Sequence, residues 1–427
     1  MTAVSQGRPT RVRHIVLWLT VALYFITYMD RVAISSAIPS IQKDFGLSTI
    51  TVGWILGAFQ IAYMMFNIPS GWVGDRIGAR KALTMIVAWW SAFMCLTALT
   101  FSAASIIVCQ FLFGAGEAGA FPIATRSLSN WLLPKERGWA QGATHAGSRL
   151  GGAVTPIIVT SIIVAFGWRA PFLIFSVFGV IWGVVWFLYY RDRPDEHSAT
   201  NEGEREMIRT ALNRKAGKRG NVPWGQILRN PQMWLLAAMY ACYGYSLNIY
   251  LSWFPKYLVD THHMDIKTMG FYASLPLLAG VGGDLLGGWT SDKLVDRIGL
   301  KLARRLVAMV GFLGAGGFII LAINISNPTV GIWFFGLAVF FLELTVGVSW
   351  AVALDIGDEF AGSVSAVMNT TGSVGQFFAA AGTGYLVTVY NWNVAFGVLG
   401  VLGLIGAVLF SQIDASRRVY GSGESAG

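Results

Sequence analysis

Charged side chains are scarce in this sequence: Asp, Glu, Lys and Arg make up 12% of 427 residues, against 55% hydrophobic residues and a mean hydropathy of +0.57. So low a charge content excludes an ordinary water-soluble globule and points to a chain that crosses a membrane many times. Cysteine is scarcer still. Cys95, Cys109 and Cys242 all lie in apolar stretches without paired spacing, which argues against a disulfide framework and a thiolate metal site. The histidines, His14, His145, His197, His262 and His263, show no ligand spacing, so no metal or other cofactor is expected and an enzyme would lack its chemistry. No small-residue cleavage site follows the first apolar run, which is also too long for a signal peptide; the first span is expected to be retained. The net charge of +9 would suit a nucleic-acid partner, but its distribution gives it another meaning.

Apolar runs between charged or Gly/Pro-rich breaks give about twelve spans of membrane-crossing length, centred near Tyr24, Gln60, Trp90, Gly116, Thr155, Val180, Tyr243, Leu278, Gly314, Leu342, Val374 and Leu402. With the N-terminus placed in the cytoplasm, most of the 31 Lys and Arg residues fall on that side, as the positive-inside rule requires. Both termini are then cytoplasmic. The one long hydrophilic stretch, Arg191 to Arg229, separates six spans from six. It reads as a hinge-permitting connector with a short surface helix near Glu204 to Leu212, its basic residues suited to an anionic inner leaflet rather than to nucleic acid. The expected fold class is an all-α membrane protein of twelve transmembrane helices in two pseudo-symmetric six-helix halves. Its parts are an N-terminal half at 1–190, a cytoplasmic linker at 191–230 and a C-terminal half at 231–427.

An internal repeat supports the division. Gly71-Trp72-Val73-Gly74-Asp75-Arg76 recurs half a chain later as Gly288-Trp289-Thr290-Ser291-Asp292-Lys293. Parallel six-helix repeats with a site between them are a transporter architecture, in which one half rocks against the other.

Within the first span, Ile15 to Ile41, Asp30 and Arg31 stand side by side in an otherwise uncharged run. An ionised group near the centre of such a helix costs at least about 2.5 to 3.5 kcal/mol, which argues against a lipid-facing pair; each residue needs its own partner inside a helix bundle or wet cavity, with two buried structural charges as the alternative reading. Tyr24, Tyr28 and Arg31 share one helical face. They form an aromatic, polar wall ending in a cation.

The stretch GWVGDRIGARK, Gly71 to Lys81, resembles the loop signature of the major facilitator superfamily. YMDR (28–31), GAGEAGAFP (114–122), GSRLGGA (147–153), SWAVALDIG (349–357) and AGSVSAVMNTTGSVG (361–375) resemble its anion:cation symporter branch, which includes proton-coupled carriers of hexuronates, galactonate and glucarate. The resemblance implies that the acids at Asp30 and Glu117 carry the coupling proton, that Tyr63 is a site tyrosine, and that Asp75 closes the cytoplasmic side. One position departs from the pattern. Sugar-acid carriers place a basic residue two turns before the acid of span four, where this chain has Gln110.

Glu117 lies mid-span between Gly114, Gly116 and Gly119, which remove bulk around it; loss of hydration there penalises the charged form, and a permanent ion pair is the alternative. Arg149 falls near the middle of span five with His145 one turn before it. Arginine keeps its charge and offers a planar fork to a carboxylate, so Arg31 and Arg149 are candidates to hold an anion, although Arg149 could instead balance Glu117. His145 reads as a hydrogen-bonding wall residue, with a proton relay as the other role. In the second half Tyr243, Tyr245, Asn248, Asn369 and Gln376 are polar groups suited either to reading substrate hydroxyls or to packing helices. Glu343 ranks as a lesser coupling candidate and Asp284 as structural.

For the gate, Gly71 and Gly74 permit close helix approach, Gly78 a tight turn, and Arg80 and Lys81 an anchor on the inner side. Arg76, Arg126 and Asp292 complete the candidate gating set, with a purely topological role for the charges as the alternative. The reading is a secondary active transporter, not an enzyme: a monomer in a bacterial inner membrane that imports a small organic anion, a sugar acid, with protons by alternating access. An organic-acid or drug antiporter of the same fold is the rival, and a receptor or membrane enzyme a remote one.

Overall fold

The computed structural model describes residues 9–133, 136–213, 222–357 and 360–420; the side chains at 68, 75, 137–139, 141, 212 and 213 lie outside that description. An uncharged chain in hydrocarbon must satisfy its peptide groups internally, and the described residues are accordingly helical throughout the spans. In chain order the helices are α1 (Val12–Phe45), α2 (Thr49–Ile77), α3 (Ala79–Ala98), α4 (Ala103–Glu117), α5 (Ala120–Trp131), α6 (Arg137–Phe166), α7 (Ala170–Tyr189), α8 (Glu202–Asn213) and α9 (Trp224–Arg229). They continue as α10 (Pro231–Ser252), α11 (Phe254–His262), α12 (Ile266–Ile298), α13 (Leu300–Asn324), α14 (Pro328–Gly357), α15 (Ala361–Val389) and α16 (Trp392–Gln412).

Among the described residues, ten segments are long and apolar enough to cross a membrane by themselves, α4 and α5 together making one of them. The other two of the twelve are α10 with α11, rich in tyrosine, and α15, rich in glycine and hydroxyl residues. Their lower hydropathy belongs to helices that pack against protein more than lipid. Helix starts follow local chemistry: Ser102 and Ser105 form a capping box on α4, Asn230 caps α10 with Pro231 at its first turn, and Asp265 caps α12.

The packing sorts into two compact units. The first comprises Met1–Arg31, Ala62–Gly151 and Arg169–Arg219. In it α3 packs on α7, α4 and α5, and Trp182, Trp186 and Tyr190 of α7 and its C-cap form a stacked ladder. The connector is partly built into this unit. Glu204 of α8 is fully buried, pairs with the Arg13 guanidinium at 3.0 Å and accepts the Val12 and Arg13 backbone N–H groups at the start of α1. A carboxylate at the N-terminus of α1 suits the helix dipole.

The second unit comprises Val32–Ile61, Gly152–Trp168 and Gly220–Gly427. Here α12 and α13 pack on α14, α10 on α15, and α13 on α16. Small residues let backbones meet within it: a Cβ on Gly53 would stand 2.9 Å from the Ala381 carbonyl oxygen, and one on Gly384 would stand 2.7 Å from that of Thr49. The Asp414 carboxylate, just beyond α16, is buried. Burial opposes its ionisation, but the Ser416 hydroxyl and the Lys301 ammonium at 2.9 Å outweigh that and hold it at about 2. Its folded-state value lies below the unfolded one, so its stabilisation is present above about pH 4 and is lost as pH falls toward 2. Asp414→Asn is expected to lower the thermal midpoint at pH 7 and to leave it unchanged near pH 2.

Gly78 and Gly299 join α2 to α3 and α12 to α13 with φ 82° and 80° and ψ 156° and 161°, a region that only glycine occupies readily. The turn of the repeated loop is therefore the same backbone event in both halves. Nothing stands within 4 Å of a Cβ placed on Gly299. Gly299→Ala should consequently cost about 1 to 3 kcal/mol through backbone strain alone, read as a lowered unfolding midpoint in detergent.

Candidate substrate and proton site

The first unit gathers the charges of the sequence motif YMDR with those of span four. Arg31, at the end of a face that also carries Tyr24 and Tyr28, donates from Nε to Oε1 of Glu117. Its guanidinium carbon lies 4.4 Å from the Tyr63 ring centroid and 5.3 Å from those of Tyr28 and Phe121. Each such face attracts a cation by about 0.5 to 2 kcal/mol, and three planar walls also fix the plane of the fork. Tyr24 packs edge-on against Phe121 at 4.3 Å, shares a hydrogen bond with Thr125 at 3.4 Å and meets the His145 ring at 6.1 Å.

Glu117 is fully buried, and its Oε2 accepts no hydrogen bond among the described residues. The glycines around it are occupied space: a Cβ on Gly116 would run into the Trp89 ring, and one on Gly119 would stand 2.6 Å from Ser70. The helix breaks directly after the acid, between α4 and α5, where the Asn67 amide donates to the Ala118 carbonyl at 2.9 Å. Sequence reasoning missed both the break and Asn67. The available signal was an amide one turn after Tyr63 on the same face of an apolar helix.

Asp30 is buried, 2% exposed, and its Oδ1 likewise accepts no hydrogen bond among the described residues. Arg149 stands on α6 one turn after His145, between Gly147, which abuts Val21, and Gly151, which abuts Phe25. Since Gly147 and Gly151 turn toward α1, the residue midway between them starts from the opposite face of α6.

In the second unit the predicted polar residues have protein partners. The Tyr243 hydroxyl donates to Glu343 at 3.1 and 3.3 Å, the Asn248 amide donates to the Gln376 carbonyl at 3.0 Å, and Gln60 donates to the Asn248 Oδ1 at 3.1 Å. Asn369 is half-buried on α15, its carbonyl accepting from Ser373, and Gln376 is half-buried on the same helix. An amide engaged twice has less to offer a ligand than the notation of a polar residue in an apolar span implies.

The candidate gate shows paired construction. Arg76 lies over the Trp72 ring and Lys293 over the Trp289 ring, both at 3.9 Å, so the repeated tryptophan seats the repeated cation one turn on. Gly71 and Gly74 bring α2 against Pro122 and Ile123 of α5; Arg126 follows one turn past Pro122. Arg80 is anchored by its backbone N–H to Asp192 at 3.1 Å and by Nε to the Phe187 carbonyl at 2.9 Å. The side chain of Asp75 lies outside the described residues. Asp292 pairs with Arg304 at 2.7 Å, and Arg304 also reaches Asp355 at 3.1 Å. Sequence reasoning missed Arg304 and Asp355, since nothing local links a base on α13 to an acid at the end of α14. Arg304→Ala is expected to leave two acids facing each other and to lower the unfolding midpoint, with Arg304→Lys intermediate because one ammonium nitrogen replaces the two guanidinium nitrogens that reach Asp355 and Asp292.

A family profile described as the Major Facilitator Superfamily matches residues 20–380. The chain belongs to the Major Facilitator Superfamily. It is therefore a multi-pass membrane transporter and not an enzyme. It is 37% identical to a probable sulfoacetate transporter of Cupriavidus necator over 98% of this chain and 97% of that protein, and 32% identical to the hexuronate transporter of Bacillus subtilis over 85% of each. It is 26% identical to a probable L-galactonate transporter of Escherichia coli over 94% of this chain and 90% of that one. These relatives are those of the anion:cation symporter branch that the motifs resemble. A bacterial homologue of the human lysosomal transporter Spinster, solved inward-facing and unoccupied, superposes with a TM-score of 0.77 at 18% identity, covering 95% of this chain and 97% of that one; this likeness shows the superfamily fold.

Proposed function

We propose that this superfamily member is a proton-coupled importer of a small organic anion, a sugar acid such as a hexuronate, aldonate or aldarate, working by alternating access as a monomer in a bacterial inner membrane with both termini cytoplasmic. The observation that carries the reading is the Arg31 guanidinium held among three aromatic rings and paired to the buried Glu117, with the buried Asp30 next to it. Two carboxyl groups and a fixed cation in one unit give a competition: an ionised Glu117 occupies Arg31, and a proton taken up by Glu117 releases that fork for the substrate carboxylate. The hexuronate and galactonate relatives support the sugar-acid class. A second reading, a short sulfonated acid, is favoured by the relative at 37% identity.

Purified protein in liposomes, with labelled glucuronate, galactonate and sulfoacetate offered in turn outside and an inward pH gradient, tests the proposal. Accumulation of one of them that collapses with the gradient is the expected result. Movement of neutral or cationic compounds alone would overturn it.

A further inference from the structure

We propose that Glu343 is a further proton-carrying carboxyl, set in the C-terminal part of the chain and positioned by Tyr243. The proposal deepens the transport reading by adding a coupling residue outside the unit that holds Asp30 and Glu117.

Glu343 sits within α14, 1% exposed, in a run that is otherwise uncharged from Pro328 to Leu354. An intramembrane acid is costly and marks an ion or proton path unless a structural demand explains it. The packing has been arranged to seat this one. A Cβ on Gly280 would stand 3.0 Å from Val339 and 3.1 Å from the Glu343 Cγ, and one on Gly283 would run into the Phe340 carbonyl oxygen and stand 3.1 Å from the Glu343 Cβ, so α12 packs closely on α14 around the acid. From α10, the Tyr243 hydroxyl donates toward both carboxylate oxygens. That tyrosine is itself held: its ring stacks on Tyr240 at 5.1 Å, and the Tyr240 hydroxyl accepts from the Trp350 indole at 3.0 Å, two turns along α14 on the same face as Glu343. A carboxyl whose partner is fixed by further contacts can gain and lose a proton without rearranging its surroundings.

The titratable groups on the packed elements are concentrated on α10 and α12. On α10 they are Tyr240, Cys242, Tyr243, Tyr245 and Tyr250, and on α12 Lys267, Tyr272, Asp284 next in sequence to Gly283, and Asp292, Lys293, Asp296 and Arg297 toward its end, while α13 from 306 to 324 and α15 from 361 to 384 carry none. The step is a plain transfer. A Glu343 carboxylate oxygen takes a proton from water on one side of the membrane and returns it to water on the other; Tyr243 keeps its own proton throughout. Glutamine at 343 would keep the hydrogen bond from Tyr243 and the packing, so a structural role and a proton-carrying role part company in that variant.

The test is pH-difference infrared spectroscopy of the full-length protein in lipid, which follows the carbonyl stretch of protonated carboxyl groups and needs no substrate. Glu343→Gln should remove one titrating band, and Tyr243→Phe should move that band in frequency and its pH midpoint by about one unit, as loss of a hydrogen bond to a charged group predicts. A difference spectrum unchanged in Glu343→Gln, or a band untouched by Tyr243→Phe, overturns the proposal, and the second variant stands if the first does not fold. In liposomes Glu343→Gln should lower gradient-driven anion accumulation about tenfold per pH unit, one proton fewer per anion. Unaltered accumulation there would also sink the coupling role. If the wild type moves none of the three labelled acids while the Glu343 band still titrates, the transport reading fails and the carboxyl assignment stands.

Discussion

Asp30→Asn is expected to keep exchange of substrate across the membrane and to abolish its pH-driven accumulation. The side chain is buried, and one of its oxygens accepts no hydrogen bond among the described residues, so replacing it by a neutral amide of the same shape removes a charge that burial penalises. Folding should therefore survive, and the thermal midpoint should stay level or rise. What is lost is a group able to bind a proton in one orientation and give it up in the other. Each proton coupled per anion contributes about tenfold accumulation for an inward gradient of one pH unit, and if the step at Asp30 is required for coupling as a whole the ratio falls to about one without it. The measurement is paired: counterflow exchange of labelled substrate, which needs no gradient, beside net uptake under an imposed gradient. Undiminished net uptake would refute the role of Asp30, and loss of both activities would make it a binding residue instead.

The spans were legible because hydrocarbon leaves a chain no choice: uncharged runs of that length become helices, and charge marks the breaks. Tyr24, Tyr28 and Arg31 could be set on one face because a single helix fixes their spacing, and in the structure Tyr28 stacks on Arg31 while Tyr24 packs one turn away on Phe121. What required tertiary structure was which partner each charge meets. Arg31 and Glu117 are 86 positions apart and no local pattern couples them. The break after Glu117 was hidden because glycines that allow close packing and glycines that end a helix look alike in a sequence. Glu204 shows the opposite difficulty. Its helix is strongly polar and reads as a surface element, yet the carboxylate is wholly buried because the start of α1 offers it four donors, the Thr10 hydroxyl, the Val12 and Arg13 backbone N–H groups and the Arg13 guanidinium. The repeat, too, was legible at its start and not at its end: DRIG occurs at 75–78 and again at 296–299, four residues later than the GW alignment places it, and only the matching backbone at Gly78 and Gly299 identifies the shared turn.

Arg31→Ala should be the most damaging single change in the site, and its damage should separate into two parts. Removing the guanidinium leaves Glu117 buried with its ion-pair partner gone, a loss of about 3 to 5 kcal/mol for a pair of this kind, so the variant is expected to express poorly or unfold early. Adding Glu117→Gln removes the stranded charge, and the double variant should regain most of the lost thermal stability. Substrate binding should not return with it, because the fork that receives the carboxylate and the ring faces that orient it act only through the arginine. Arg31→Lys separates the charge from its shape: the ion pair can re-form, but a point charge replaces the planar fork and the stacking on Tyr63, Tyr28 and Phe121 is weakened, so affinity should fall tenfold or more, that is by about 1.4 kcal/mol or more, with folding intact. Thermal unfolding in detergent and labelled-acid binding by the same preparations read the two parts independently. Recovery of binding in the double variant would show that Arg31 serves only to neutralise Glu117, and the anion would then have to be held elsewhere.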